Sequence, residues 1–230
     1  MKTIGLIGGL SWESTATYYR LINEMVNEQK GDLHSAKCLI HSFDFQDIAT
    51  LQQQGKWDEA SEKMLTAAIK LERAGADFLV ICSNTMHKVA DEIEEHLEIP
   101  LLHIADATAD LMKKKGLSNI GLIGTSFTME HPFYIDRLEK QGFSVIIPEK
   151  EKRQKVHDVI FDELCKGKIN ESSKRAYIDI IYELQQAGAE GVILGCTEIS
   201  LLIQQNDVDI PLFDTTKIHA KAAVSFALKD

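Results

Sequence analysis

Arg73-Ala-Gly-Ala-Asp-Phe-Leu-Val-Ile-Cys-Ser83-Asn-Thr85 and Gln186-Ala-Gly-Ala-Glu-Gly-Val-Ile-Leu-Gly-Cys196-Thr-Glu198 are two versions of one pattern. Each reads as a helix end, a tight Ala-Gly-Ala turn, an apolar strand, and a small nucleophile-type residue where the strand gives way to the next helix. Setting Gly75 against Gly188 places Ser83 on Cys196. The pattern predicts a duplicated α/β unit with a hydroxyl at one strand end and a thiol at its equivalent.

The duplication continues outward. Ile4-Gly-Leu-Ile-Gly8 returns as Ile120-Gly-Leu-Ile-Gly124, and Ile99-Pro-Leu-Leu-His103 as Ile210-Pro-Leu-Phe-Asp214, at offsets of 116 and 111 around the 113 of the central pair. Strand-like runs at 3–7, 37–43, 77–82, 100–104, 119–123, 144–147, 191–194 and 211–213 alternate with helical periods at 12–27, 57–73, 86–97, 105–114, 129–141, 151–165, 171–187 and 216–228. Such alternation predicts parallel sheets, whose ligand sites lie beyond the carboxyl ends of the strands. The expected architecture is α/β: two similar open parallel-sheet domains related by a pseudo-two-fold axis, with the active site in the cleft between them. Residues 1–103 with 211–230 are expected to form the first domain, the C-terminal helix returning to it, and residues 104–210 the second.

A chain of 230 residues, 44% hydrophobic, can bury a core in each of two domains. Its formal charge of −10 would repel a polyanion, so neither nucleic acid nor an anionic membrane is an expected partner. No apolar run approaches the ~18 residues that span a bilayer. The opening Thr3-Ile-Gly-Leu-Ile-Gly-Gly9 is too short and glycine-rich for a signal peptide, which points to the cytoplasm. The cysteines at 38, 82, 165 and 196 form no C-x-x-C pair and have no histidine at zinc spacing, so no metal site is expected.

Gly5-Leu-Ile-Gly8-Gly9 has G-x-x-G-G spacing where a dinucleotide fold needs G-x-G-x-x-G, and no acid ends the following strand. The milder reading is that these glycines, and Gly124-Thr125-Ser126 in the second copy, let backbone amides approach a small anion. Cys196 is the leading chemical candidate, since a helix start after it would lower the thiol pKa. Glu198 could orient that thiol or take its proton. Cys82 precedes Ser83 on the same strand and faces the opposite way, so it reads as buried packing, as do Cys38 and Cys165. Asn84 and Thr85 sit at a helix start, suited to capping it or to gripping a carboxylate. His87 and His103 lie near enough to support the site indirectly.

The three motifs Ile4-Gly-Leu-Ile-Gly-Gly-Leu-Ser-Trp-Glu-Ser14, Cys82-Ser-Asn-Thr-Met-His87 and Gly195-Cys-Thr-Glu198 together resemble the aspartate/glutamate racemase family of cofactor-independent amino-acid racemases. The resemblance spans essentially the full length. It is nearest to the enterobacterial L-aspartate/glutamate-specific and broad-specificity subgroup. It implies no cofactor, a small amino-acid substrate and a homodimer. It also implies two residues flanking the α-carbon, one removing the α-proton and the other protonating the opposite face. By position these are Cys196, acting on the L face, and Ser83. The resemblance further assigns Leu10, Gln52, Asn84, Thr85, Thr125, Lys166 and Thr197 to substrate binding, with Glu198 behind them.

The chain departs from the typical pattern at Ser83, where most members carry a second cysteine. A hydroxyl is a poor base without activation, yet it can give a proton to a carbanion. The segment Asp44-Phe-Gln-Asp-Ile-Ala-Thr-Leu-Gln-Gln-Gln-Gly55 contains no arginine, so a bidentate guanidinium grip on a side-chain carboxylate is missing there. Ser83 also keeps two alternatives open: a single-cysteine decarboxylase on the same scaffold, and an amino-acid-binding protein with impaired catalysis.

Overall fold

The computed structural model describes residues 1–229. It divides into two compact units, Met1–Ile104 together with the chain from His219 onward, and Ala105–Ile218. In the first unit, strands β1 (Ile4–Gly8), β2 (Cys38–Ser42), β3 (Phe78–Ile81) and β4 (Leu101–Leu102) form a parallel sheet in the order β2-β1-β3-β4. In the second, β5 (Asn119–Gly124), β6 (Ser144–Ile146), β7 (Gly191–Gly195) and β8 (Leu212–Asp214) repeat that order as β6-β5-β7-β8, again all parallel.

The helices of the first unit are α1 (Trp12–Lys30), α2 (Phe45–Gln53), α3 (Trp57–Arg73) and α4 (Ala90–Glu94). They are followed by α5 (Ile104–Lys114), α6 (Ser126–Glu130), α7 (Pro132–Glu139), α8 (Lys150–Asp162), α9 (Glu171–Gln186), α10 (Ile199–Leu202) and α11 (Thr215–Ala227). Side-chain alternation divides the first sheet's apolar residues between two cores. Ile7, Leu79 and Ile81 join α2 and α3 residues such as Ile48 and Met64, whereas Ile4, Leu6, Phe78, Val80 and Cys82 join Tyr18 and Ile22 of α1 and Ala220, Ala223 and Val224 of α11.

The duplicated turn is the same device twice. Gly75 and Gly188 have φ of +96° and +101°, a region open to glycine at little cost. Ala76 N–H then reaches Leu71 O at 3.0 Å, and Ala189 N–H reaches Leu184 O at 3.0 Å. One residue after each turn, a carboxylate anchors an earlier strand of its own sheet. Asp77 Oδ2 accepts from Thr3 N–H at 2.5 Å, and Glu190 Oε2 accepts from Ser118 and Asn119 N–H at 2.6 and 2.8 Å.

Three expectations change. Residues 211–218 belong with the second unit, because β8 pairs with β7 through Val192↔Leu212 to Leu194↔Asp214; the chain joins the first unit only from His219. The helical period at 129–141 is cut by Pro132, which disfavours helical geometry at the residue before it; His131 is extended at φ −87°, ψ 142°. The period at 86–97 becomes a 3-10 turn, Thr85–Val89, followed by α4. An α-helix would send His87 N–H to Ser83 O, but His87 Nδ1 occupies that carbonyl at 2.6 Å, and the amide goes to Asn84 O at 3.1 Å. Helix α2 lacked a recognised sequence signal; Asp44 caps it by accepting from Gln46 N–H at 3.0 Å.

Candidate active site

In each sheet the chain order reverses beside the first strand, between β1 and β3 and between β5 and β7. This is the point at which open α/β sheets present ligands with loop residues. The first unit places Gly8-Gly9 and Ser83 there; the second places Gly124-Thr125 and Cys196.

Gly9 has φ +70°, and a Cβ on it would lie 2.2 Å from Phe43 N. Its own N–H donates to Thr15 Oγ1 at 2.8 Å, so this amide is spent on the loop and not on an anion. Leu10 is buried in the core. Ser11 takes φ +123°, strained for an L-residue and costing on the order of 1–3 kcal/mol. Sequence reading missed this strain, since nothing local distinguishes Ser11 from an ordinary helix cap.

Ser83 is partly buried, and its Oγ accepts a long hydrogen bond from Met86 N–H at 3.4 Å. The carbonyl before it, Cys82 O, accepts from Ser14 Oγ at 2.9 Å. Cys82 itself is fully buried and its thiol is pushed far up by desolvation, as a packing residue should be. Asn84 and Thr85 are buried beside Ser83. The turn they open is a short 3-10 segment, so the expected helix dipole for gripping a carboxylate is not available. Gln52, at the end of α2, is brought to the same turn: its Nε2 lies 3.0 Å from Met86 Sδ.

In the second unit Gly124 pairs with Gly195, and a Cβ on Gly124 would come 2.8 Å from Gly195 O. Thr125 caps α6, its Oγ1 accepting from Thr128 N–H at 3.3 Å. Beside it, His157 Nδ1 accepts from Ser126 N–H at 3.2 Å. Lys166 is exposed and its Nζ pairs with Asp162 Oδ1 at 3.1 Å.

Cys196 Sγ donates to Glu198 Oε2 at 3.0 Å, and Thr197 Oγ1 donates to the same oxygen at 2.6 Å. Glu198 is buried. The thiol pKa stands well above its ordinary range, chiefly through desolvation and then through the negative charge of Glu198; Cys165 adds to it. This corrects the expectation of a thiol activated by a helix terminus. Helix α10 has only four residues, too few for a substantial dipole, and a carboxylate faces the sulfur instead. The resting group is a thiol whose proton already points at its acceptor.

A family model described as Asp/Glu/Hydantoin racemase matches residues 7–223. A crystal structure from Yersinia pestis, provisionally described as an Asp/Glu racemase, is 52% identical over all of both chains, with TM-score 0.93. The chain belongs to the Asp/Glu/Hydantoin racemase family. Membership in this family makes it an enzyme of the isomerase class. An aspartate racemase homologue from Pyrococcus horikoshii OT3 is 35% identical, covers both chains completely and has TM-score 0.87. The broad specificity amino-acid racemase RacX of Bacillus subtilis (strain 168) is 25% identical over 225 residues, 96% of each chain. Among the described residues of this racemase-family chain, no group of three or more His, Cys, Asp or Glu side chains is placed to hold a metal ion, and no helix is long and apolar enough to cross a membrane.

Proposed function

We propose that the chain is a cofactor-independent amino-acid racemase acting on L-aspartate, L-glutamate or a similar small polar amino acid. Cys196 is its base on the L face and Ser83 its proton donor on the opposite face. The observation that carries this reading is the 3.0 Å bond from Cys196 Sγ to the buried carboxylate of Glu198. Glu198 takes the thiol proton when substrate enters, the thiolate removes the α-proton, and the Ser83 hydroxyl protonates the carbanion. The thiolate's capture of the α-proton restores the Cys196 thiol; before the next turnover the Ser83 alkoxide takes a proton from water, and Glu198 gives up its proton to the hydroxide so formed. A carbanion without a pyridine ring to delocalise it cannot wait, so an acid already in place is the requirement that this pair meets.

Gln52, Asn84, Thr85, Thr125 and Thr197 supply neutral hydrogen-bonding groups for the substrate, with Leu10 as apolar wall and Lys166 as a cation able to leave Asp162. The absence of arginine from residues 44–55 admits neutral substrates such as homoserine as well as acidic ones. The names of the Bacillus and Pyrococcus relatives support the same substrate range. This reading takes the protein to be cytoplasmic and homodimeric.

Free enantiomers have equal free energy, so kcat/KM must be equal in the two directions. What Ser83 changes is the partition between exchange and inversion: Cys196 exchanges the L-form α-proton several times for each inversion. The test is proton NMR of L-aspartate, L-glutamate and L-homoserine in D₂O with chiral analysis of the product. Loss of the α-proton with slower appearance of D-isomer is expected. Demonstrable binding with neither exchange nor D-product from any of the three overturns the reading.

A further inference from the structure

We infer that His87 is a positioning residue for the proton step at Ser83, fixing the direction of the Ser83 peptide from beneath. This rests on the racemase reading and adds a residue to it. His87 is only 2% exposed, and both ring nitrogens are engaged. Nδ1 lies 2.6 Å from Ser83 O, and Nε2 lies 3.2 Å from Ile104 N. A carbonyl only accepts and an amide N–H only donates. The ring therefore carries its proton on Nδ1 and offers a lone pair at Nε2. A doubly protonated ring could not accept the Ile104 N–H.

The need for such a clamp follows from where the sheet stops. Cys82 N–H makes a ladder bond to Ile7 O at 2.9 Å, and the pairing of β3 with β4 ends at Val80. Ser83 comes after both. Two consecutive carbonyls are then held by side chains from different elements: Cys82 O by Ser14 of α1, and Ser83 O by His87 of the 3-10 turn. His87 ties that turn in addition to the first residue of α5. Its ring is wedged edge-on against His103 and His219, with centroids at 4.5 and 5.6 Å. An imidazole in this setting cannot swing away without breaking both bonds, so it transmits the rigidity of the core to the hydroxyl-bearing residue. Proton transfer is sensitive to donor placement at the ångström scale, which makes the clamp kinetically visible.

The two ends of the ring can be separated by substitution. In His87→Asn the side-chain amide reaches the Nδ1 position and can still donate to Ser83 O. In His87→Gln the longer amide reaches the Nε2 position and can accept from Ile104 N–H, but no longer serves Ser83. The readout is the ratio of D-product formation to L-form α-proton exchange in D₂O, because exchange is carried by Cys196 and a loss of folded enzyme lowers both rates alike. The expected result is a ratio near wild type for His87→Asn and about tenfold lower for His87→Gln, with exchange itself little changed. Equal ratios in both variants and wild type, or a parallel loss of exchange and inversion, overturn the assignment. Absence of exchange in the wild-type enzyme overturns the racemase reading, and this inference with it. If either variant is insoluble, Ser14→Ala tests the neighbouring carbonyl of the same clamp: an unchanged ratio there counts against a positioned Ser83 peptide.

Discussion

The ends of β3 and β7 occupy the same place in two copies of one design, yet their active groups are held in different ways. At β3 the hydroxyl of Ser83 is supported through its backbone: neighbouring carbonyls are bonded to Ser14 and His87, and the oxygen takes a long contact from Met86 N–H. At β7 the thiol of Cys196 is bonded directly by a buried carboxylate. The residue aligned with Glu198 is Thr85, so the first copy has no carboxylate at the corresponding position. Under the proposed mechanism the difference is a division of labour: the group that would lose a proton is given an acceptor, whereas the one that would deliver a proton needs only to be aimed.

The harshest way to break the comparison is at its basic end. Cys196→Ala is expected to abolish exchange and inversion together, by about 10³-fold or more, in the D₂O assay. Retention of either at wild-type rates would remove the thiol from the mechanism. Glu198→Gln keeps the shape but removes the acceptor. It should slow exchange about 10²-fold near neutrality. Its rate should then climb with pH, because burial holds the thiol high and only bulk base can ionise it. A flat profile at undiminished rate would deny Glu198 its role.

The other end is tested by making the two copies alike. Ser83→Cys should raise inversion relative to exchange by about tenfold, since a thiol reprotonates and ionises more readily than a hydroxyl. An unaltered ratio would show that the Cys/Ser mismatch has no kinetic consequence.

The smallest effect concerns stability. Burial lowers His219 to about 4, while its ring donates through Nε2 to Leu102 O at 2.8 Å and meets the Tyr18 hydroxyl at Nδ1. Because the folded value lies below the unfolded value of 6.5, the contribution is complete above pH 6.5 and is lost as pH falls toward 4. The loss amounts to roughly 3 kcal/mol. Urea unfolding of His219→Gln should show an acid limb shallower by that amount, and identical limbs would contradict the assignment.

Much of the fold was readable because strand and helix periods are local. The eight strand segments lie within one or two residues of where the apolar runs place them, and the Ala-Gly-Ala turns take the same positive φ in both copies. Helix boundaries were less readable wherever a side chain competed for a backbone group. His87 took the Ser83 carbonyl and converted an expected α-helix into a 3-10 turn. The strand at 212–214 was visible, but its sheet was not, since pairing with β7 joins residues that no local pattern relates. The candidate residues could be named from motifs; their electrostatic state could not. The motif suggested an activated thiolate, and burial beside Glu198 reversed that.

The order of residues by itself determined the duplication, the parallel α/β class, the membership in a racemase family and the unequal pair Ser83 and Cys196. These are properties of periodicity and motif, written in neighbouring residues. Only the tertiary structure decided that Cys196 rests as a thiol bonded to Glu198, and that Gly9 spends its amide on Thr15. The same holds for Ser83, clamped from behind by Ser14 and His87. Each of these depends on burial or on bonds between residues brought together by folding, and both set free energies that the sequence order does not express.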